Sequence, residues 1–366
     1  MSTDFISKLR KINNAIKDRY DPHELVIRSG SPSTNFVFGN GYGLPAGYSI
    51  ALWGPPKGGK TFLANSMIGQ MHKDIPDGYA IKYDVEFRDR GQLTSQKLKG
   101  FGIDEDRYVA FEGNKPEDVF DNMEKEIVPL CEQGMNLKLV VVDSFSMLQG
   151  RREAEQASVN QHQIGDHAQT LIVGLKKMLP IQRKYRFGLI AICQARSELD
   201  RIEVMRGKDK KMQASWGIKH HCEYFMMVEQ NLTKTGKTNE SGDTFEDDTR
   251  KDLRDKSEIT GHKVRVWMQD SSMGPKGRSG EFTIDYEKGI VNTHEEVFRL
   301  GLNWGVIEKQ NARTYTFDGN TWTSKKDVLD AMVDVGMQEK VLKKLHELDK
   351  AGRICTTAAP ELVVEE

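Results

Sequence analysis

Tyr48-Ser49-Ile50-Ala51-Leu52-Trp53-Gly54-Pro55-Pro56-Lys57-Gly58-Gly59-Lys60-Thr61 is the stretch on which the reading of this chain turns. Its first six residues are mostly apolar and read as a buried strand. The next eight fit GxxxxGK[ST], and a helical pattern starts directly behind them. Strand, glycine-rich loop and helix in that order are the context that makes the motif a phosphate-binding loop. Backbone N–H groups of such a loop wrap phosphates, and the helix N-terminus adds its dipole. Lys60 should reach the β- and γ-phosphates, and the Thr61 hydroxyl should bind Mg²⁺. The predicted nucleotide contacts are Gly54, Pro55, Pro56, Lys57, Gly58, Gly59, Lys60, Thr61 and Phe62. A chance glycine-rich turn would need loop, strand and helix to coincide.

Working outward, apolar runs alternate with helical patterns. Tyr79–Asp84 (YAIKYD), Lys138–Asp143 (KLVVVD) and Phe187–Gln194 (FGLIAICQ) read as further strands. Thr61–His72, Pro116–Gln133 and Gln161–Arg183 read as helices. This alternation predicts an α/β fold with a mostly parallel central sheet covered on both faces. The length of 366 residues suits one large domain with smaller additions.

Strand ends supply the remaining candidates. Asp143 closes an apolar strand, which places its carboxylate beside the phosphate loop as a second Mg²⁺ ligand. Taken alone this pattern is weak, because many buried strands end in Asp; the loop gives it weight. Tyr83-Asp84-Val85-Glu86 ends the strand after the phosphate-loop helix. Glu86 is the candidate base that polarises water for attack on the γ-phosphate; otherwise it is a surface carboxylate at a strand end. Gln194 ends the strand FGLIAICQ, and its neutral amide is either a γ-phosphate sensor or a polar terminus.

Elsewhere, Phe5, Leu9, Ile12 and Ile16 form one apolar face of an N-terminal helix, which periodicity alone assigns to packing on its own domain. Arg28–Gly47 reads as loops. Asp200–His221 is polar and basic. Between 201 and 221 stand six Lys/Arg (Arg201, Arg206, Lys208, Lys210, Lys211, Lys219) against two acids (Glu203, Asp209), interleaved with Met205, Met212 and Trp216. Such a run is usually a solvated surface, although phosphate contacts require this local excess. Asn239–Glu258 reads as a charged, exposed insertion. Val264–Gln269 and Glu281–Tyr286 read as a hairpin. From Thr293 the chain turns helical, with Asp327–Val335 and Gln338–Lys350 in a small C-terminal unit and a short acidic tail from Ala358 to Glu366.

The formal net charge of −1 confines any nucleic-acid surface to a local patch. No apolar run approaches the roughly 18–20 residues of a membrane span, and the first twenty residues mix charged with apolar ones and read as having no signal-peptide h-region. Cys131, Cys193, Cys222 and Cys355 are scattered, which argues against a disulfide framework and for a reducing, cytoplasmic setting. His220-His221-Cys222 cannot converge on one metal if extended, and reads as a strand start.

The order of these motifs resembles the RecA recombinases, and looks especially like their phage-encoded, UvsX-type branch. Gly39-Asn40-Gly41-Tyr42-Gly43-Leu44-Pro45-Ala46-Gly47 is similar to a family turn ahead of the phosphate loop. Tyr83-Asp84-Val85-Glu86 resembles the segment carrying the catalytic glutamate, and Val142-Asp143-Ser144 the Mg²⁺-site strand end. Ile192-Cys193-Gln194-Ala195-Arg196 resembles the segment whose Gln couples nucleotide state to DNA binding. The likeness spans about residues 25 to 300 and, more loosely, the C-terminal unit.

The resemblance implies a RecA-like ATPase core at residues 28–292, an oligomerisation segment at 1–27 and a small C-terminal domain at 293–366. It implies ATP and Mg²⁺ as cofactors, and Glu86, Lys60 and Gln194 as the catalytic set. Two DNA-binding loops follow from it. One holds Arg151 and Arg152 within about Gln149–Gly165; the other runs from Arg196 to about Lys219 with Arg201, Arg206, Lys208, Lys210, Lys211 and Trp216. The implied activity is filament formation on single-stranded DNA, pairing with homologous duplex and strand exchange in recombination and repair, with single-strand-binding and loader proteins as possible partners. The implied place is the cytoplasm of a bacterial or phage-infected cell. The N-terminal helix would then dock on the next subunit.

Three departures stand out. Cys193 replaces the Asn of the usual Asn-Gln pair. The paired lysines expected on Val264–Asp270 are absent, leaving Arg265, Lys276 or Arg278 as candidate substitutes. Gln92–Lys97 offers Leu93 and no tyrosine to pack on adenine. A hexameric helicase or translocase of the same fold, and a nucleotide-gated DNA-binding protein that does not hydrolyse, are the rival readings.

Overall fold

The computed structural model describes residues 21–148, 166–197, 210–213, 216–231, 237–239, 244–245 and 259–351. The N-terminal helix, Arg151, Arg152, Arg201, Arg206, Lys208, most of the charged insertion and the acidic tail lie outside these residues.

Val26–Ile27 (β1) and Leu44–Pro45 (β2) pair antiparallel just ahead of the phosphate-loop strand, Ser49–Gly54 (β3). The chain continues through Tyr79–Asp84 (β4), Tyr108–Glu112 (β5), Leu137–Asp143 (β6), Gly188–Ser197 (β7), Lys210–Gln213 (β8) and Tyr224–Gln230 (β9). Spatially the parallel part runs β5-β4-β6-β7-β3-β9. The run Leu139-Val140-Val141-Val142 is buried throughout, as expected of a strand covered on both faces. Each such side chain contributes roughly 1.5–3 kcal/mol of hydrophobic stabilisation. The two faces make separate apolar clusters. Leu52, Leu63, Met67 and Val141 belong to one, under the helix Lys60–Asp74; Trp53, Val119, Val140 and Leu175 belong to the other, under Pro116–Asn122 and Asp166–Tyr185.

On the far side of β9 the sheet turns antiparallel. Lys237–Asn239 (β10) and Thr244–Phe245 (β11) extend it beyond Ile259–Ser271 (β12), and Ser279–Asp285 (β13) and Gly289–Val291 (β14) branch from β12. The β12–β13 pair is the hairpin read from the sequence. After β3 the chain crosses over β7 and β6 to β4. The carboxyl ends of these strands therefore flank a crevice, where ligands of open α/β sheets bind.

The helices Thr293–Asn303, Lys325–Met332 and Val335–Lys350 gather with Glu308–Lys309 (β15), Tyr315–Phe317 (β16) and Asn320–Trp322 (β17). Their apolar cluster includes Phe36 and Tyr42, far back in sequence. Those residues belong to a segment expected to be loop throughout. Instead Pro32–Phe38 is a helix, capped by the Ser31 hydroxyl accepting from Thr34 N, with Pro32 in its first turn. Burial of Phe36, Val37 and Phe38 holds it, which local periodicity does not reveal.

His220-His221-Cys222 is also corrected. Trp216–His221 is a short helix, and β9 starts only at Tyr224. Ile218 and Cys222, four apart, are both buried in the cluster that lies under Asp166–Tyr185, so helical spacing wins over extension. Cys131, Cys193 and Cys222 are free and buried. No helix among the described residues is long and apolar enough to cross a membrane.

Candidate functional site

The glycine-rich loop leaves β3 at Gly54, where a Cβ would come within 2.0 Å of the Val228 carbonyl oxygen. Gly59 sits at φ +97°, in the left-handed region, with Val264 pressed against it. Thus β9 and β12 form the floor that fixes the loop's path. Pro56 and Lys57 are exposed at its tip. Lys60 opens the following helix, and its buried ammonium donates to the carbonyl oxygens of Gly54 (2.9 Å) and Pro55 (2.7 Å). Burial pulls the Lys60 pKa down, against the raising effect of Asp143 and Glu86. Phe62, one turn-position further, meets Phe101 and Tyr286 edge-on at 4.9 and 6.2 Å between ring centres.

Asp84 and Asp143 end adjacent strands as register partners. The Thr61 hydroxyl donates to Asp143 Oδ2 at 2.8 Å. A hydroxyl and a carboxylate oxygen at the mouth of a phosphate loop suit a hard cation that takes its remaining ligands from water and phosphate, as Mg²⁺ does. Among the described residues no three His, Cys, Asp or Glu side chains gather so as to hold a metal by themselves. The donor set therefore fits Mg²⁺ carried in with a nucleotide.

Glu86 is held from three directions. Ser144 Oγ donates to its Oε1 at 2.8 Å, Gln194 Nε2 donates to the same oxygen at 3.0 Å, and Arg88 Nη1 lies 2.7 Å from Oε2. The backbone N–H of Gln194 donates to Ser146 Oγ at 3.1 Å. Glu86, Asp143, Thr61, Lys60 and Gln194, singled out separately along the chain, are thus brought to one crevice. Ser144, Ser146 and Arg88 were not singled out for this role. Ser144 sits inside the quoted Val142-Asp143-Ser144, but nothing local says which carboxylate it meets.

Lys82 was missed as well, although a lone lysine inside YAIKYD was visible. It is fully buried, 2.9 Å from Asp89 Oδ1 and 3.4 Å from Asp143 Oδ2. Burial alone would lower its pKa; Asp143 and Asp89 outweigh that and raise it, so it stays an ammonium.

Of the basic segment, the structure describes the pairing of β7 with β8. They run antiparallel, with Gln194 opposite Gln213 and Arg196 opposite Lys211. Arg196 and Lys211 are both exposed, while Lys210 pairs with Glu229 at 2.8 Å. Gln194 and Arg196, two residues apart on one strand, share a face. Trp216 opens the helix after β8.

The substitutes for the missing lysines separate clearly. Arg278 is buried, bonded to Asp349 of the last helix and stacked over Phe36, 4.5 Å from its ring centre, so it is a strut to the C-terminal unit. Lys276 is exposed and pairs with Asp270 at 2.5 Å; Arg265 is exposed on β12. Leu93 packs against the core. The half-exposed aromatic beside the phosphate-loop helix is Tyr286, on the turn after β13, bonded to His262 at 3.1 Å.

Sequence comparison adds an independent finding. The family profile described as the RecA N-terminal domain matches residues 16–291. Protein RecA of Oleidesulfovibrio alaskensis is 25% identical over 324 residues, 88% of this chain and 82% of that protein. Protein RecA of Mycoplasmopsis pulmonis is 25% identical across 88% of this chain and 85% of its own length. Protein RecA of Mycobacterium ulcerans is 25% identical across 90% and 86%.

Proposed function

The chain belongs to the RecA family, and from that premise we propose that it is an ATP-dependent DNA recombinase, which forms filaments on single-stranded DNA and exchanges strands with homologous duplex. The supporting observation is the bond from Gln194 to Glu86. One residue touches the candidate base and lies two positions from Arg196, on the strand that pairs with Lys210–Gln213.

In this reading Lys60 and the loop N–H groups hold the β- and γ-phosphates, and Thr61 and Asp143 hold Mg²⁺. Bound Mg²⁺ would offset charge on the phosphate oxygens. Glu86, fixed by Ser144 and Arg88, takes a proton from the attacking water. The Gln194 amide either stays on Glu86 or turns to the γ-phosphate, and β7 carries that choice to Arg196. Arg196 and Lys211 face each other across that ladder and are both exposed, positions from which each can contact a DNA phosphate. Tyr286 and Phe62 offer the base an aromatic edge in place of the tyrosine lacking at Gln92–Lys97. The core at 28–292, the C-terminal unit at 293–366 and an N-terminal segment docking on the next subunit complete the proposal. Its placement in the phage-encoded branch rests on the motif order alone.

The test is phosphate release from ATP, with and without single-stranded DNA, for the wild type and Glu86→Gln. DNA stimulation that is lost in the variant, with ATP binding retained, supports the reading. Tight ATP binding without turnover in either condition removes the role of Glu86 and favours a nucleotide-gated binding protein.

A further inference from the structure

A lysine inside a parallel strand covered on both faces is costly, because desolvation of its charge must be offset by partners. Lys82 on β4 is wholly buried, and its partners are carboxylates. Asp89 Oδ1 lies 2.9 Å away and Asp143 Oδ2 3.4 Å away. Asp84 stands two residues on along the same strand, hence on the same face, and accepts from Asp89 N at 2.7 Å. Asp89 Oδ2 is buried with no hydrogen-bond partner. The Asp143 oxygen near Lys82 is also the one that accepts from Thr61. The carboxylate best placed to ligate a cation thus already has one beside it, attached to the chain.

We propose that Lys82 is a positioning residue for the metal site. It is a tethered cation that orients Asp143 toward Thr61 and opposes binding of a divalent ion by the protein alone, so that the ion enters only with nucleotide phosphates. This rests on the reading of Thr61 and Asp143 as Mg²⁺ donors. Without Lys82, the Asp143 carboxylate beside Thr61 would have no ammonium next to it, and its charge, with those of Asp84 and Asp89 near it, would attract a hard divalent ion that takes its other ligands from water. The lysine makes occupation of the site conditional on the triphosphate, whose oxygens complete the coordination.

Mn²⁺ serves as the probe, its free concentration read by electron paramagnetic resonance with no nucleotide present. Wild type, Lys82→Met and the double variant Lys82→Met/Asp89→Asn are compared. The double variant removes one charge of each sign and keeps the fold balanced if the single variant fails to fold. Wild type is expected to show no saturable binding in the low-millimolar range. Lys82→Met should bind at least roughly tenfold more tightly, the direction set by removing a like charge from beside the ion. The gain should persist in the double variant and disappear when Asp143→Asn is added. Tight Mn²⁺ binding by nucleotide-free wild type overturns the proposal without any variant. So does a folded Lys82→Met protein whose Mn²⁺ affinity is unchanged, the result a purely structural ion pair would give. Failure of the underlying reading shows itself separately, as wild-type ATP binding indifferent to Mg²⁺ and to Thr61→Ala.

Discussion

Replacing Glu296 by Gln should make the protein more stable at alkaline pH and leave it nearly unchanged under mildly acid conditions. Glu296 lies on the helix Thr293–Asn303 and is 1% exposed. Its Oε2 accepts from Ser31 Oγ at 2.6 Å and from Ser33 N at 3.0 Å, bracing the start of the helix Pro32–Phe38, while Oε1 is buried without a partner. Burial pushes its pKa from the ordinary 4.5 up to about 7, against the lowering effect of Ser31, Ser33 and Arg299. Between those values the folded state binds more protons than the unfolded one, so stability falls as pH rises through the window. A shift of that size corresponds to roughly 3 kcal/mol lost between about pH 4.5 and pH 8. Glutamine mimics the protonated acid and carries no such dependence. Urea denaturation of both proteins at pH 5, 6, 7 and 8 should give curves that nearly meet at pH 5. They should part by up to roughly 3 kcal/mol at pH 8, with Glu296→Gln the more stable. A constant difference across this range, or a variant that loses ground as pH rises, would refute the reasoning.

Other consequences are equally direct. Arg278→Met strands Asp349 in a mostly buried pair and should cost about 3–5 kcal/mol in denaturation, without altering ATP affinity in the folded fraction. Arg196→Ala and Lys211→Ala should each weaken single-stranded DNA binding alike across sequences and reduce the salt slope of log K by about 1, as measured by fluorescence anisotropy at several salt concentrations. Tyr286→Ala should raise the Kd for a fluorescent ATP analogue about two- to tenfold, whereas Tyr286→Phe, which keeps the ring, should not.

Much of the site was legible because its signals are local. A phosphate loop lies within fourteen residues of sequence, and Asp143, Glu86 and Gln194 each end or follow an apolar strand. Parallel strands then bring such ends together whatever the loops do. Features that depend on distant partners were not legible. Pro32–Phe38 is helical because Phe36, Val37 and Phe38 find burial, Phe36 against a unit some 260 residues later in the chain. Arg278 looked like a free cation until Asp349 and Phe36 enclosed it. Lys82 appeared as a polar interruption of a strand, and its carboxylate partners come from β6 and from the start of the short helix Asp89–Gln92. Trp216–His221 was obscured because its buried apolar residue Ile218, and Cys222 just past its end, are set among basic ones.

The central claim is that this crevice drives homologous pairing, and a strand-exchange assay addresses it most directly. Wild-type protein with Mg²⁺ and ATP is mixed with single-stranded DNA and a fluorescently labelled duplex. The account predicts strand transfer that requires ATP, requires homology and is lost in Lys60→Ala. DNA-stimulated ATP turnover with no homology-dependent transfer would contradict it, and would point to a translocase on the same fold.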